Sequence, residues 1–203
     1  TDATGNITSC SFTVTVSDNE FPQISCPANI TVDASTGSCG AVVTYLAPVG
    51  TDVLPGATTT QTAGLSSGAT FPVGITTNTF QVTDASGNKT SCSFTVTVTD
   101  KEDPSISNLP ANITVSNDVN ACGAIVTWTA PTSADNCSGS SILQTAGLAS
   151  GSVFPIGTST VTYTATDGAG RTHSESFTVK VNDTQIPVIV GLPTNKTVSS
   201  SAG

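Results

Sequence analysis

Apolar and polar residues alternate strictly in several short runs of this chain. In FTVTV at 94–98, Phe94, Val96 and Val98 fall on one face and the threonines on the other, the period-2 pattern of a strand with one buried side. The same rhythm groups Val161, Tyr163 and Ala165 in STVTYTATD. It also pairs Val126 with Trp128 in AIVTWT, matched by Val43 and Tyr45 in AVVTY. DASGN after Thr83 and DGAGR after Thr166 are turn signals between two such runs, so each predicts a hairpin. No window shows a sustained apolar repeat at helical spacing, and none approaches the roughly 18 apolar residues of a membrane-spanning helix. The pattern predicts an all-β chain.

The pattern also recurs. QTAGLSSGATFPVG begins at Gln61, and QTAGLASGSVFPIG begins 83 positions later at Gln144. CGAVVTY at Cys39 returns as CGAIVTW at Cys122, and CPANITV at Cys26 returns as LPANITV at Leu109 and LPTNKTV at Leu192. CSFTVTVSD at Cys10 returns as CSFTVTVTD at Cys92 and ESFTVKVND at Glu175. A fixed period of this length marks tandem modules. Two whole repeats are expected at about 19–100 and 101–183. Residues 1–18 read as the last hairpin of a preceding copy and 184–203 as the first strand of a following one. Roughly seven short strands per repeat fit a two-sheet sandwich of the immunoglobulin type.

Taken in order, CPANITV, CGAIVTW, DNC, GLASGSVFPIGT, VTYTATD and CSFTVTVTD resemble the HYR (hyalin repeat) module, over essentially the whole chain. The resemblance implies tandem immunoglobulin-like Greek-key β-sandwich modules forming an elongated rod. It implies an extracellular setting in adhesion and matrix proteins, with cysteine-containing versions frequent in long bacterial surface adhesins.

Composition narrows the partners. The net charge is −9 with only five Lys and Arg, a surface that repels nucleic-acid phosphates and anionic lipid headgroups. Neither nucleic acid binding nor membrane insertion of this segment is therefore expected. The six cysteines include no C-x-x-C pair, so disulfides in an oxidising compartment are expected rather than a zinc or redox site. Aligning the repeats makes four cysteine columns: Cys26 with Leu109, Cys39 with Cys122, Leu54 with Cys137, and Cys10 and Cys92 with Glu175. The second repeat has lost the first and fourth columns together, which points to Cys26–Cys92 and Cys122–Cys137 bonds. Cys10 would then pair with an upstream repeat, and Cys39 would be left as a free thiol because Leu54 replaces its partner. The rival scheme is Cys10–Cys26 across the module boundary with Cys39–Cys92.

The module boundaries read SDNEFP, TDKEDP and NDTQIP, with Pro22, Pro104 and Pro187 in register. Short linkers with proline restrict bending. Asp18, Glu20, Asp100, Glu102, Asp103 and Asp183 concentrate oxygen donors at these junctions, the donor type calcium takes. No cofactor is expected, the junctions reading first as solvated acidic stretches that aid solubility, with calcium as the alternative reading. Asp84 and Asp167 read as turn caps bonding backbone amides. Asn6, Asn29, Asn88, Asn112 and Asn195 open N-x-T sequons and Asn136 opens NCS. Asn6 and Asn88, in turns, are the most accessible acceptors, while NITV at Asn29 and Asn112 is also good strand sequence.

No enzymatic constellation emerges. His173 is the single histidine, with Thr90 at its place in the first repeat, and a triad or metal centre needs more than one such group. Ser150 lies in GLASG, which lacks the G-x-S-x-G spacing of a nucleophile elbow. Gly64, Leu65, Ser67, Gly68, Phe71, Pro72 and Gly74 all have counterparts in the second copy of that motif, a set of turn formers and anchors. Leu148 and Phe154 are expected to pin the loop to the sandwich, and Ser150 to satisfy amides within it. Three functions compete. The first is a stalk or filament segment of a large cell-surface adhesin or matrix protein, with neighbouring repeats or other copies as partners. The second is a module recognising an extracellular glycan or protein through its pole loops, where TDVLPGATT against ADNCSGSSI is the most divergent connection. An enzyme is the third and least supported.

Overall fold

The computed structural model describes residues 1–191 and 194–200. Among the described residues there are fourteen strands and no helix, the outcome expected of a chain whose β-branched runs are cut short by Gly, Pro and Asp. The chain divides into two compact units, Thr1–Lys101 and Glu102–Gly203.

In the first unit the strands are β1 (Ile30–Asp33), β2 (Gly40–Val42), β3 (Thr58–Ala63), β4 (Thr70–Pro72), β5 (Gly74–Thr83) and β6 (Lys89–Thr99). One sheet runs β1-β6-β5-β3, and β2 pairs with β4 in a second. An isolated bridge joins Gln23 and Thr51. The DASGN hairpin forms as expected, with Thr83 opposite Lys89 and Phe80 opposite Cys92. First and last strands run parallel, with Ile30 beside Val96 and Val32 beside Val98. The alternation in FTVTV faces the way it reads: Phe94, Val96 and Val98 pack with Phe80, and with Ala41, Val43 and Phe71 from the β2–β4 side, in one core. Tyr45 stands over Phe94 edge-on, their centroids 5.0 Å apart, a favourable aromatic geometry.

The second unit repeats this plan with β7 (Ser105–Ser107), β8 (Ile113–Ser116), β9 (Gly123–Ile125), β10 (Thr132–Ala134), β11 (Ser141–Ala146), β12 (Val153–Pro155), β13 (Gly157–Thr166) and β14 (Thr172–Asn182). Its main sheet is β11-β13-β14-β8, and β12 pairs with β9. The β7–β10 pair occupies the place of the single Gln23–Thr51 bridge. Val161, Tyr163, Phe177, Val179 and Val181 form the core with Ala124, Val126 and Phe154, and Trp128 packs against it. Trp128 Nε1–H donates to Tyr163 Oη at 2.9 Å, so the indole is anchored inside the module. In both copies the strand that begins at Gly40 or Gly123 is only three residues long. Val43 and Val126 extend it by donating to Ala69 and Ser152 carbonyls.

The QTAGL(S/A)SG loop is architecture. Phe71 and Phe154 are fully buried. Ser67 Oγ accepts from Tyr45 N at 2.8 Å and donates to Tyr45 O at 2.7 Å. Ser150 does the same with Trp128, at 2.9 and 3.1 Å. The hydroxyl thus serves the neighbouring strand end rather than amides within its own loop. Leu148 is exposed, so Phe154 anchors this loop and Leu148 does not. Gly64 has φ +87°, and a Cβ there would lie 1.9 Å from Asn78 Oδ1, so this turn admits only glycine.

The expected terminal strands do not form. Among the described residues, neither 1–18 nor 184–200 contains a strand, although Leu192 and Pro193 of LPTNKTV lie outside the described residues. Phe12, Val14 and Val16 alternate as a strand should but are all exposed.

Candidate metal centre

The β5–β6 hairpin turn is fixed by its own side chains. Asp84 N–H donates to Asn88 O, and Gly87 N–H to Asp84 O. Asn88 N–H and Nδ2–H each donate to a different Asp84 oxygen at 2.8 Å. Asn88 Nδ2 also donates to the carbonyls of Asp18 at 3.2 Å and Glu20 at 3.0 Å, drawing the stretch that precedes Pro22 against the turn. Burial pushes the Asp84 carboxyl up, but donors from the Asn88 side chain and from the Asn88, Gly87 and Ser86 amides outweigh it and hold the group below its ordinary value.

Beside this turn, Asp18, Asp52 and Asp84 bring one carboxylate oxygen each within 4.8 Å of one another, with Asp84 buried and the other two half-buried. Asp18 Oδ1 accepts from Glu20 N at 3.0 Å, and Asp52 Oδ2 accepts from Leu54 N at 3.0 Å. Asp52 Oδ1 is sealed from solvent and has no hydrogen-bond partner. The Arg171–Asp103 ion pair and the His173–Glu175 contact both lie in the second unit. Asp52 also lines an open concavity with Glu20, Phe21, Gln23, Thr51 and Val53.

Of the six junction carboxylates expected to gather oxygen donors, Asp18 joins this cluster and others serve different ends. Glu20 is exposed and contributes its carbonyl to Asn88. Asp103 pairs with the Arg171 guanidinium at 2.7 Å, and Asp183 caps Gln185 N at 3.1 Å. Asp100 is buried and Glu102 half-buried. Asp84 and Asp167 do cap their turns; Asp167 Oδ1 accepts from Ala169 N and Arg171 N, both at 2.8 Å. Sequence reading missed Asp52. Its signal was the aspartate and glycine shared by TDVLPG and ADNCSG, inside a connection that otherwise diverges.

The cysteines need one correction. Cys26 and Cys92 are bonded, with Cα atoms 5.6 Å apart, because the parallel β1–β6 pairing brings their lead-in residues together. The Cys122–Cys137 bond does not form, and Cys39 is not a free thiol: Cys39 and Cys137 are each disulfide-bonded, while Cys122 is an exposed thiol. Cys137 is buried with its sulfur committed to a disulfide, so it is not available to the exposed Cys122. Cys10 is likewise an exposed thiol among the described residues, and the rival Cys10–Cys26 bond is absent since Cys26 is taken by Cys92.

The sequon asparagines differ in what their side chains do. Asn88, expected to be accessible, is half-buried, and its Nδ2 is committed to three acceptors. Asn6 is exposed, with Nδ2 donating to Asp2 and Thr4. Asn29 and Asn112 are exposed; their Oδ1 atoms accept from Thr95 N at 2.9 Å and Thr178 N at 2.8 Å. Each thus ties the lead-in of a first strand to the last strand of its module. Asn195 is exposed, and Asn136 is half-buried. His173 stands 3.2 Å from Glu175 on the same strand.

The chain is 35% identical over 200 residues to hyalin of Lytechinus variegatus, covering 96% of this chain and 37% of that protein. It is 34% identical to hyalin of Strongylocentrotus purpuratus, covering 93% of this chain and 16% of that one. It is 32% identical to the rat sushi, von Willebrand factor type A, EGF and pentraxin domain-containing protein 1, covering 86% of this chain and 5% of the other. The chain therefore spans well under half of each of these relatives. They are animal proteins, so the expected kinship with long bacterial adhesins finds no support in them. Among solved structures, a protocadherin gammaB7 EC3-6 cis-dimer aligns at TM-score 0.37 and 16% identity, covering 82% of this chain and 52% of that one. The family model described as HYR domain matches residues 17–98 and again 99–181, so the chain belongs to the HYR domain family.

Proposed function

We propose that these modules form a non-catalytic extracellular segment of a stalk or filament in a large adhesive or matrix protein. The observation that carries this reading is the tandem repetition itself. Two HYR modules follow one another directly in sequence, at 17–98 and 99–181, and their most recognisable shared motif is spent on packing rather than chemistry. A segment of this kind sets reach and resists proteolysis, and its immediate partners are neighbouring repeats of the same chain. Disulfides support an extracellular location, at the cell surface or secreted, since they persist in oxidising compartments. Among the described residues no helix is long and apolar enough to cross a membrane.

Sedimentation velocity and small-angle scattering test the reading. A stalk segment behaves as an elongated monomer at all concentrations. Lateral self-association would instead make it a filament subunit, and a compact shape would remove the stalk reading. Specific binding to an extracellular glycan or protein, lost on exchanging the 51–59 connection, would point to recognition through the pole loops.

A further inference from the structure

Three carboxylates that share a site without a cation repel one another. Asp18, Asp52 and Asp84 stand in that relation, their oxygens within 4.8 Å, and among the described residues no Lys, Arg or His forms an ion pair with any of them. Ligand oxygens around one calcium ion, each at about 2.3–2.6 Å from it, are at most about 5 Å apart. The observed spacing therefore fits three ligands of a single ion.

A second observation is independent of this proximity. Asp52 Oδ1 is sealed from water and hydrogen-bonded to nothing, an arrangement that costs free energy unless a cation completes it. In the second module Asp135 and Asp167 stand 83 positions beyond Asp52 and Asp84. Asp135 Oδ1 and Asp167 Oδ2 are likewise sealed and unpartnered, and Asp167 is only 6% exposed. A buried carboxylate oxygen without a donor is rare, and Asp52 Oδ1 and Asp135 Oδ1 are such oxygens at corresponding positions.

We infer that Asp18, Asp52 and Asp84 are ligands of a calcium site at the head of the first module. The donors are all hard oxygens, with neither imidazole nor thiolate, which favours calcium over transition metals. Because Asp18 precedes Pro22 while Asp52 and Asp84 belong to the sandwich, the ion fastens the lead-in segment to the module. The inference goes beyond the stalk reading and does not depend on it.

NMR titration of the metal-free full chain with calcium chloride tests it. The amides of Glu20, Leu54 and Asn88 donate to the three carboxylates, so they report the site directly. They should shift saturably, with a Kd on the order of 0.1–1 mM as in other extracellular modules. Asp52→Asn should weaken that saturation at least about tenfold while leaving the circular dichroism unchanged. Asp18→Asn, outside every strand, should do the same without touching the sandwich. Amides that stay still up to about 10 mM calcium would overturn the site. So would an unchanged titration in both variants, and saturation by magnesium at equal concentration would overturn the calcium assignment. Failure here leaves the hydrodynamic test of the stalk untouched.

Discussion

Residues 10–16 and 92–98 are the same seven letters, CSFTVTV, and they have different structures. In the second copy the segment lies in β6, with Phe94 2% exposed. In the first it forms no strand, and Phe12 is 89% exposed. The turns just before them tell the opposite story. Asp2 and Asn6 make the same bonds as Asp84 and Asn88: Asp2 N–H to Asn6 O at 2.8 Å, Asn6 N–H to Asp2 Oδ1 at 2.8 Å and Asn6 Nδ2–H to Asp2 Oδ2 at 2.9 Å. The bonds that close such a turn lie within its five residues, whereas a strand takes its partners from elsewhere in the chain, as β6 does from β1 and β5.

Breaking the first disulfide should separate the copies most. Cys92→Ser opens a bond spanning 66 residues, which in the chain-entropy account contributes about 4 kcal/mol. Cys10→Ser removes an exposed thiol and should leave the melting of the chain unchanged. Calorimetry of the two variants reads the difference, and equal effects would show that segment 10–16 is packed after all.

Next in size is the aromatic. Phe94→Ala deletes a side chain packed among Tyr45, Phe80 and the core valines and should cost about 3–5 kcal/mol. Phe12→Ala should stay within about 0.5 kcal/mol. Since Trp128 belongs to the second unit, its fluorescence gives an internal control: the Phe94 variant should leave that transition in place.

The smallest effect sharpens the turns. Donors from the Asn6 side chain, then from Thr4 and the Asn6 amide, hold the exposed Asp2 carboxyl at about 2, and Asp84 is also lowered. A depressed folded value means that the Asp84 contribution is present above the unfolded value near 3.8 and is lost as pH falls through the folded one. Asp84→Asn should therefore flatten the acid limb of the first module's stability curve. Asp2→Asn should not, because its turn is not coupled to a core. Carboxyl chemical shifts followed through acid pH check both.

Much of this was legible from the residues. The alternation in β6 and β13, the two hairpins and the repeat period follow from local pattern. The parallel closure that joins Cys26 to Cys92 was reached by comparing columns. The other cysteines were not, because positions that vary together between two copies need not be bonded to one another. Cys122 and Cys137 are near in sequence but are not partners. Asp52 escaped for a related reason: its role depends on a turn 32 residues away and a linker 34 residues before it, and nothing local marks an aspartate as an orphan.

By itself the sequence determined which face of each run is apolar, where the chain turns and how often the plan repeats. These depend on side-chain chemistry and on hydrogen bonds closed within a few residues. Only the tertiary structure decided which of two identical runs becomes a strand, which sulfurs meet and which carboxylates converge. Each of those requires partners from distant parts of the chain, and a one-dimensional pattern does not contain the distance between them.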